Sequence, residues 1–163
     1  MCAARLSTST NLGLISDTHG LIRREALTAL AGVDRIIHAG DIGGQEVLAA
    51  LEGVAPVSAI RGNMDHAGGW DRQLPLTAVV EVGPVSIYVL HDRFRLDLDP
   101  RAAGMAAVVF GHSHQPFVEE RDGVLYINPG SAGPRRFNYP ITVARLTISS
   151  VGKLVPRVIE LEG

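Results

Sequence analysis

The sequence predicts an α/β fold in which two sheets stack together with helices outside, and three observations lead there. Apolar runs of strand length alternate with segments of helical spacing over the first sixty or so residues, a β-α-β-α-β rhythm. After that the pattern changes to paired apolar runs around Gly-containing turns, which read as hairpins. Nothing in the 163 residues resembles a linker, an internal repeat or a low-complexity segment, so residues 1–163 are expected to form one domain with a flexible leader at 1–10.

Each element follows from its own pattern. Residues 11–16 (NLGLIS) are a short apolar run suited to a buried strand. Residues 21–30 place Leu21, Ile22, Ala26, Leu27 and Leu30 at helical spacing and end at Gly32. A second strand is expected at 35–39, a second helix at 45–51 closed by Gly53, and a third strand at 56–60. Crossovers of this kind are right-handed and give a partly parallel sheet. Residues 77–82 and 86–90 flank Gly83-Pro84 as a hairpin. Residues 106–110 form a buried strand. Residues 117–121 and 124–128 bracket Asp122-Gly123, a strong turn signal. A last pair is expected at 141–148 and 154–161, around Gly152.

Composition narrows the function classes. Fifteen basic against seventeen acidic residues, net −2, argue against a surface that coats nucleic acid or a polybasic membrane patch. Lys153 is the only lysine. The single Cys2 cannot form an internal disulfide, which fits a reducing compartment. No run of about 18 apolar residues occurs, and the start lacks an apolar stretch of signal-peptide length. The expected location is cytoplasmic, with no membrane partner. A homo-oligomer stays open.

Four motifs carry the chemistry: Asp17-Thr18-His19, Gly40-Asp41, Gly62-Asn63-Met64-Asp65 and Gly111-His112-Ser113-His114, with His91 between the last two. The first three follow expected strands, and α/β proteins place their chemistry on such loops. Carboxylate, imidazole and amide oxygen are donors for Mn²⁺, Fe, Zn²⁺, Ni²⁺ or Co²⁺. The spacing of Asp17 and His19 lets both turn toward one ion. His112 and His114 would share a face on a regular extended segment. Asp41 could bridge two metals with its two carboxylate oxygens, Asn63 offers a neutral oxygen, and Gly62 before it allows an unusual backbone angle.

In this order the motifs resemble the calcineurin-like metallophosphoesterase superfamily, whose signature runs D-x-H, G-D, G-N-x-[D or E], H and G-H-x-H. The resemblance spans roughly residues 12–131. Residues 59–65 (AIRGNMD) and 128–131 (NPGS) are similar to the small bacterial and archaeal phosphodiesterase branch. It implies an α-β-β-α sandwich of two mixed sheets flanked by helices, in agreement with the reading above. It also implies two divalent transition-metal ions, Mn²⁺ foremost. Asp17, His19 and His114 would hold one, Asn63, His91 and His112 the other, with Asp41 bridging. The implied function is hydrolysis of a small phosphoester, most of all a phosphodiester, by in-line attack of a metal-bridging hydroxide.

Two departures from the family pattern stand out. Relatives that dephosphorylate proteins carry His where this chain has Met64, and methionine cannot protonate a leaving group. His66 is a stand-in for that acid or a solvent-facing loop residue. Second, His91 is followed by Asp92 rather than Gly; solvent exposure is the default for this carboxylate, with orienting His91 or repelling anionic substrate as alternatives. Asp65 and Asp92 are expected to border the cleft. His38 reads as a hydrogen-bonded structural histidine. Arg61 either reaches a phosphate or supports the Asn63 loop; Arg135-Arg136 either line the cleft mouth or are solvated. Trp70 is a lid or a subunit contact. Residues 67–76 and 93–104 are the specificity loops. The alternatives to a phosphodiesterase are a phosphomonoesterase or protein phosphatase, and a metal-poor protein-binding scaffold, because one branch of this fold has given up catalysis for membrane trafficking. A polynucleotide nuclease lacks the basic surface it would need.

Overall fold

A computed structural model describes residues 9–65 and 69–161. Cys2, His66 and all of the expected leader except its last two residues lie outside them. The first sheet contains β1 (Thr10–Ile15), β2 (Arg35–His38), β3 (Val57–Ala59), β9 (Thr142–Ile148) and β10 (Leu154–Glu160), in the order β10-β9-β1-β2-β3. The second contains β4 (Thr77–Val82), β5 (Val85–Leu90), β6 (Ala107–Val109), β7 (Phe117–Arg121) and β8 (Val124–Asn128), in the order β4-β5-β6-β8-β7. Both sheets are mixed. β1-β2-β3 and β5-β6-β8 are parallel, and the outer pairs β9-β10, β4-β5 and β7-β8 are antiparallel hairpins.

Alternation along the strands builds the layers. In β1, Leu12 and Leu14 face the second sheet, where they meet Ile87 and Val89 of β5, Val109 of β6 and Ile127 of β8. The opposite face carries Ile15, Ile36 and Val143, covered by α1 (Arg24–Ala29) and α2 (Gln45–Glu52) through Ala26, Val47 and Leu51. Strands buried on both faces read as continuous apolar runs, which is why the sequence marks them well. The outer face of the second sheet presents Tyr88, Leu90, Val108 and Val124. The 3₁₀ turn Arg93–Arg95 and the stretch after it, with Leu96, Leu98 and Met105, lie over this face.

Two boundaries differ from the sequence reading. The expected leader stops short, because Thr10 already pairs with Ile148. The first helix begins at Arg24 rather than residue 21. The N–H of Leu21 is taken by the carbonyl of Thr18 at 2.9 Å, and Gly20 has φ +84°. A tight turn therefore uses the residues that helical spacing had claimed. Among the described residues no helix is long and apolar enough to cross a membrane.

The topology decides where chemistry can sit. Asp17, Asp41 and Asn63 follow the carboxyl ends of β1, β2 and β3; His91 and the 111–114 loop follow β5 and β6. Stacking the sheets brings these ends together.

Candidate metal centre

The loops after β1 and β2 extend the parallel pairing past the strands. Asp17 N–H donates to Gly40 O at 3.0 Å, His19 N–H to Asp41 O at 2.9 Å and Gly20 N–H to Ile42 O at 2.8 Å. Within this frame Asp17, His19, Asp41, His112 and His114 all have left-handed backbone, with φ of 56°, 46°, 56°, 73° and 63°. Such angles are uncommon outside glycine, although Asp and His tolerate them better than most, and they gather at functional sites. Five of the seven expected ligands share this geometry. His112 and His114 are consequently not on an extended segment with a common face: His114 is buried and His112 exposed.

Asp17 is fully buried and its two oxygens differ sharply. Oδ2 accepts from Ser16 Oγ at 2.6 Å and from His112 N–H at 3.1 Å. Oδ1 has no hydrogen-bond partner among the described residues, and stands 3.4 Å from His114 Nε2, 3.7 Å from His91 Nε2 and 3.8 Å from His19 Nε2. Asp41 repeats the pattern. Oδ1 accepts from Met64 N–H at 2.8 Å, while Oδ2 lies 3.2 Å from His91 Nε2 and 3.8 Å from His19 Nε2. One oxygen of Asp41 faces the centre rather than the two expected, because the other holds the Asn63 loop.

His91 sits against Ala39 O, 2.7 Å from its Nδ1. A carbonyl can only accept, so Nδ1 carries the proton and Nε2 presents a lone pair to the carboxylates. His91 Nε2 is buried without a hydrogen-bond partner among the described residues; its 3.2 Å approach to Asp41 is not aligned as one. His19 Nε2 and His114 Nε2 are 3.3 Å apart, with stacked rings.

Lone pairs thus converge on one buried space. Two overlapping groups have ligand atoms within 4.8 Å of one another: Asp17, His19 and His114, and Asp17, Asp41 and His91. A cation resolves this convergence. The donor set, two carboxylates and three imidazoles, fits a divalent transition metal.

The electrostatics agree. Burial raises the pKa of Asp17 against the lowering influence of His91, Ser16 and His114. Burial opposes the charged forms of Asp41 and His91 too, yet their mutual contact prevails: Asp41 is lowered and His91 raised. Without metal, a proton on His91 does the work of a cation. His114 is lowered by burial, with His19 and Arg136 adding to the effect.

The remaining expected ligands lie at the rim. His112 meets His91 edge-on with ring centroids 5.2 Å apart, and its Nε2 is 4.0 Å from Asp92 Oδ2. Asn63 is exposed. Both line a groove of about 440 Å³ together with His91 and Arg61. Asp92 is not simply solvent-facing, since its Oδ1 caps the 3₁₀ turn by accepting from Phe94 N–H at 3.0 Å. Met64 and Trp70 are exposed, as are Arg135 and Arg136.

Sequence reasoning misplaced Asp65. It does not border the cleft but is buried, accepting from Ile42 N–H at 3.1 Å, Gly43 N–H at 3.2 Å and Gly62 N–H at 3.0 Å. It ties the Asp41 loop to the Asn63 loop. The signal was its position three residues after Gly62, where a short carboxylate can close a turn. Asn128 and Ser131 brace the other side. Asn128 Nδ2 donates to Gly111 O and Ser113 Oγ, each at 3.1 Å, and Ser131 Oγ donates to Asp17 O at 3.1 Å.

His38 is fully buried and takes no direct part in the cluster. Gly40 N–H donates to its Nδ1 at 3.1 Å, so Nε2 carries the proton and donates to Thr18 Oγ1 at 3.0 Å; that hydroxyl donates on to Ile42 O at 2.8 Å. Burial, reinforced by His91, lowers its pKa to about 3.

The glycines before the ligands are required by space. A Cβ on Gly40 (φ +101°) would come within 2.8 Å of His91 Nδ1 and Gly62 N. Gly62 is outside the left-handed region, so an unusual angle is not its role; a Cβ there would overlap Asp41 Oδ1. On Gly111 it would overlap Ser16 Oγ.

Comparison with known proteins agrees with this geometry. Residues 11–151 match the calcineurin-like phosphoesterase superfamily domain. The chain is 33% identical over 156 residues to a probable metallophosphoesterase of Methanocaldococcus jannaschii, covering 88% of this chain and 74% of that protein. It is 27% identical over 136 residues to a phosphodiesterase of the same organism, covering 73% of this chain and 82% of that one. Among solved structures, vacuolar protein sorting 29 from Cryptosporidium parvum superposes with a TM-score of 0.77 at 20% identity, over 96% of this chain and 100% of that one, a likeness of fold. By the span of the domain match and the identity to the first of these relatives, the chain belongs to the calcineurin-like phosphoesterase superfamily.

Proposed function

We propose that the protein is a binuclear-metal phosphodiesterase acting on a small phosphoester. The observation that supports this most is the paired state of Asp17 and Asp41, each with one oxygen satisfied by protein donors and the other turned toward imidazole Nε2 atoms. A protein that merely used these residues for packing would leave buried acceptors opposed to one another, at substantial cost.

In this reading Asp17, His19 and His114 would hold one divalent ion and Asn63, His91 and His112 the other, with Asp41 shared by both. Mn²⁺ is the first candidate, and Fe, Ni²⁺, Zn²⁺ and Co²⁺ suit the same donors. Two such ions, when bound, neutralise charge developing on a phosphoester and make hydroxide available near neutral pH. The chain's own contribution is position. Ser16, Met64 and Ala39 orient Asp17, Asp41 and His91 before any ion arrives. Arg61 lines the groove where the substrate's phosphoryl group or its ester arm would lie. Met64 stands at the lip with no proton to give, which favours leaving groups that need none, and the relative named as a phosphodiesterase points the same way.

A metal-by-substrate panel tests this. Purified protein, stripped of metal and reloaded with each divalent ion, is assayed against aryl phosphodiesters, phosphomonoesters, cyclic nucleotides and phosphoproteins. Metal-dependent turnover highest on an aryl diester is expected. Failure to bind stoichiometric metal, together with no turnover on any ester, would replace the enzyme by the scaffold reading.

A further inference from the structure

The groove beside His91 and His112 has a chemistry of its own. Its wall includes Leu90, which is buried, and Leu76, which is 63% exposed and offers apolar surface to whatever enters. Arg61 and Arg95 also line it, against one carboxylate, Asp92, whose Oδ1 is already engaged with Phe94 N–H. Among the described residues no salt bridge joins either guanidinium to a carboxylate, and Arg61 Nε is buried without a hydrogen-bond partner. Two cations beside one half-engaged anion, over an apolar wall, do not suit a neutral arm.

Resting on the phosphodiesterase reading, we infer that this groove takes the ester arm of a diester whose arm bears a second anionic group, a carboxylate or a terminal phosphate. Arginine forks match both oxyanions through paired hydrogen bonds. The volume, about 440 Å³, lies within the range of small-molecule clefts. The arm's carbon chain runs along Leu76 and Leu90, and its charge ends between Arg61 and Arg95. The same charge pattern excludes a cationic arm.

Four p-nitrophenyl alkyl phosphodiesters test the inference, with identical leaving groups and an arm ending in methyl, carboxylate, phosphate or ammonium. On Mn²⁺-loaded protein, kcat/KM for the better anionic arm should exceed that for the methyl arm by about tenfold, mainly through KM, the value of one partly exposed charged contact. Carboxylate and phosphate arms compared with each other identify which oxyanion the forks prefer. The ammonium arm should be the poorest substrate. Arg95→Glu should bring the anionic-to-methyl ratio to one or below. Equal kcat/KM for methyl and anionic arms, or an unchanged ratio in Arg95→Glu, overturns the inference. Calorimetric affinities for the corresponding non-hydrolysable phosphonates provide a readout independent of turnover. If none of the four esters is cleaved but the anionic phosphonates still bind more tightly, the diesterase reading has failed and the groove assignment stands. No preference among the phosphonates overturns the groove.

Discussion

His91 gives its Nδ1–H to the carbonyl of Ala39 across 2.7 Å. This one bond fixes the tautomer, aims Nε2 at Asp41 and Asp17, and couples the end of β5 to the exit of β2 in the other sheet. A histidine placed in this way is prepared for a cation.

The cluster should therefore hold metal stoichiometrically. Asp41→Asn removes the charge that faces His91 and His19. It should lower phosphoesterase activity by two or more orders of magnitude and reduce bound metal, measured by plasma mass spectrometry on the same sample. Full activity with unchanged metal content would remove Asp41 from the centre.

Metal binding should release protons. Against burial, contact with Asp41 and the charge of Asp17 raise the pKa of His91 above its ordinary value near 6.5, so the metal-free ring takes up its second proton more readily than a free imidazole. Cation and proton compete, so affinity should fall as pH drops through neutrality toward acid. Calorimetric titration in two buffers of different ionisation enthalpy counts the protons released. Zero release at pH 6.5 would mean that His91 is not a ligand.

His38 makes a separate prediction about the fold. Its pKa is about 3 when folded and 6.5 by the ordinary value, so in acid the unfolded chain takes up the proton first. The stability it contributes is complete above about pH 6.5 and is lost as pH falls toward 3, by up to about 1.4 kcal/mol per pH unit. Urea unfolding of metal-free protein and of His38→Gln at several pH values should show a steeper acid slope in the parent. Parallel slopes would contradict this.

Asp65 should matter to stability and not merely to the cleft. Asp65→Ala orphans the N–H groups of Ile42, Gly43 and Gly62, at a cost on the order of 3 kcal/mol. Denaturant midpoints measured with and without metal separate this from ligand loss. A shift below about 0.5 kcal/mol would show that water replaces the carboxylate easily.

Met64→His should raise phosphomonoesterase relative to phosphodiesterase activity. A general acid contributes about 10²–10⁴-fold where the leaving group is poor. Met64 is 55% exposed and its backbone, not its side chain, holds Asp41, so the loop has room for the ring. The ratio of phosphoserine to aryl-diester turnover is the measurement. A native enzyme that cleaves both equally would contain another acid.

What the sequence alone determined is local. Strands buried on both faces announce themselves as apolar runs, and turns such as Gly83-Pro84 and Asp122-Gly123 close hairpins by backbone preference. Three strands, at Thr77–Val82, Phe117–Arg121 and Val124–Asn128, therefore have the bounds expected. Several ligand types were legible for the same reason, since Asp41, Asn63 and His112 each follow a glycine that close neighbours require. Partnership was not. That Asp41 has one free oxygen rather than two, that Asp65 turns inward, and that Asp92 caps a turn each depend on N–H groups brought together by folding. Only the stacking of two sheets places Ala39 against His91, because a hydrogen bond between residues fifty-two apart in sequence leaves no local pattern to read.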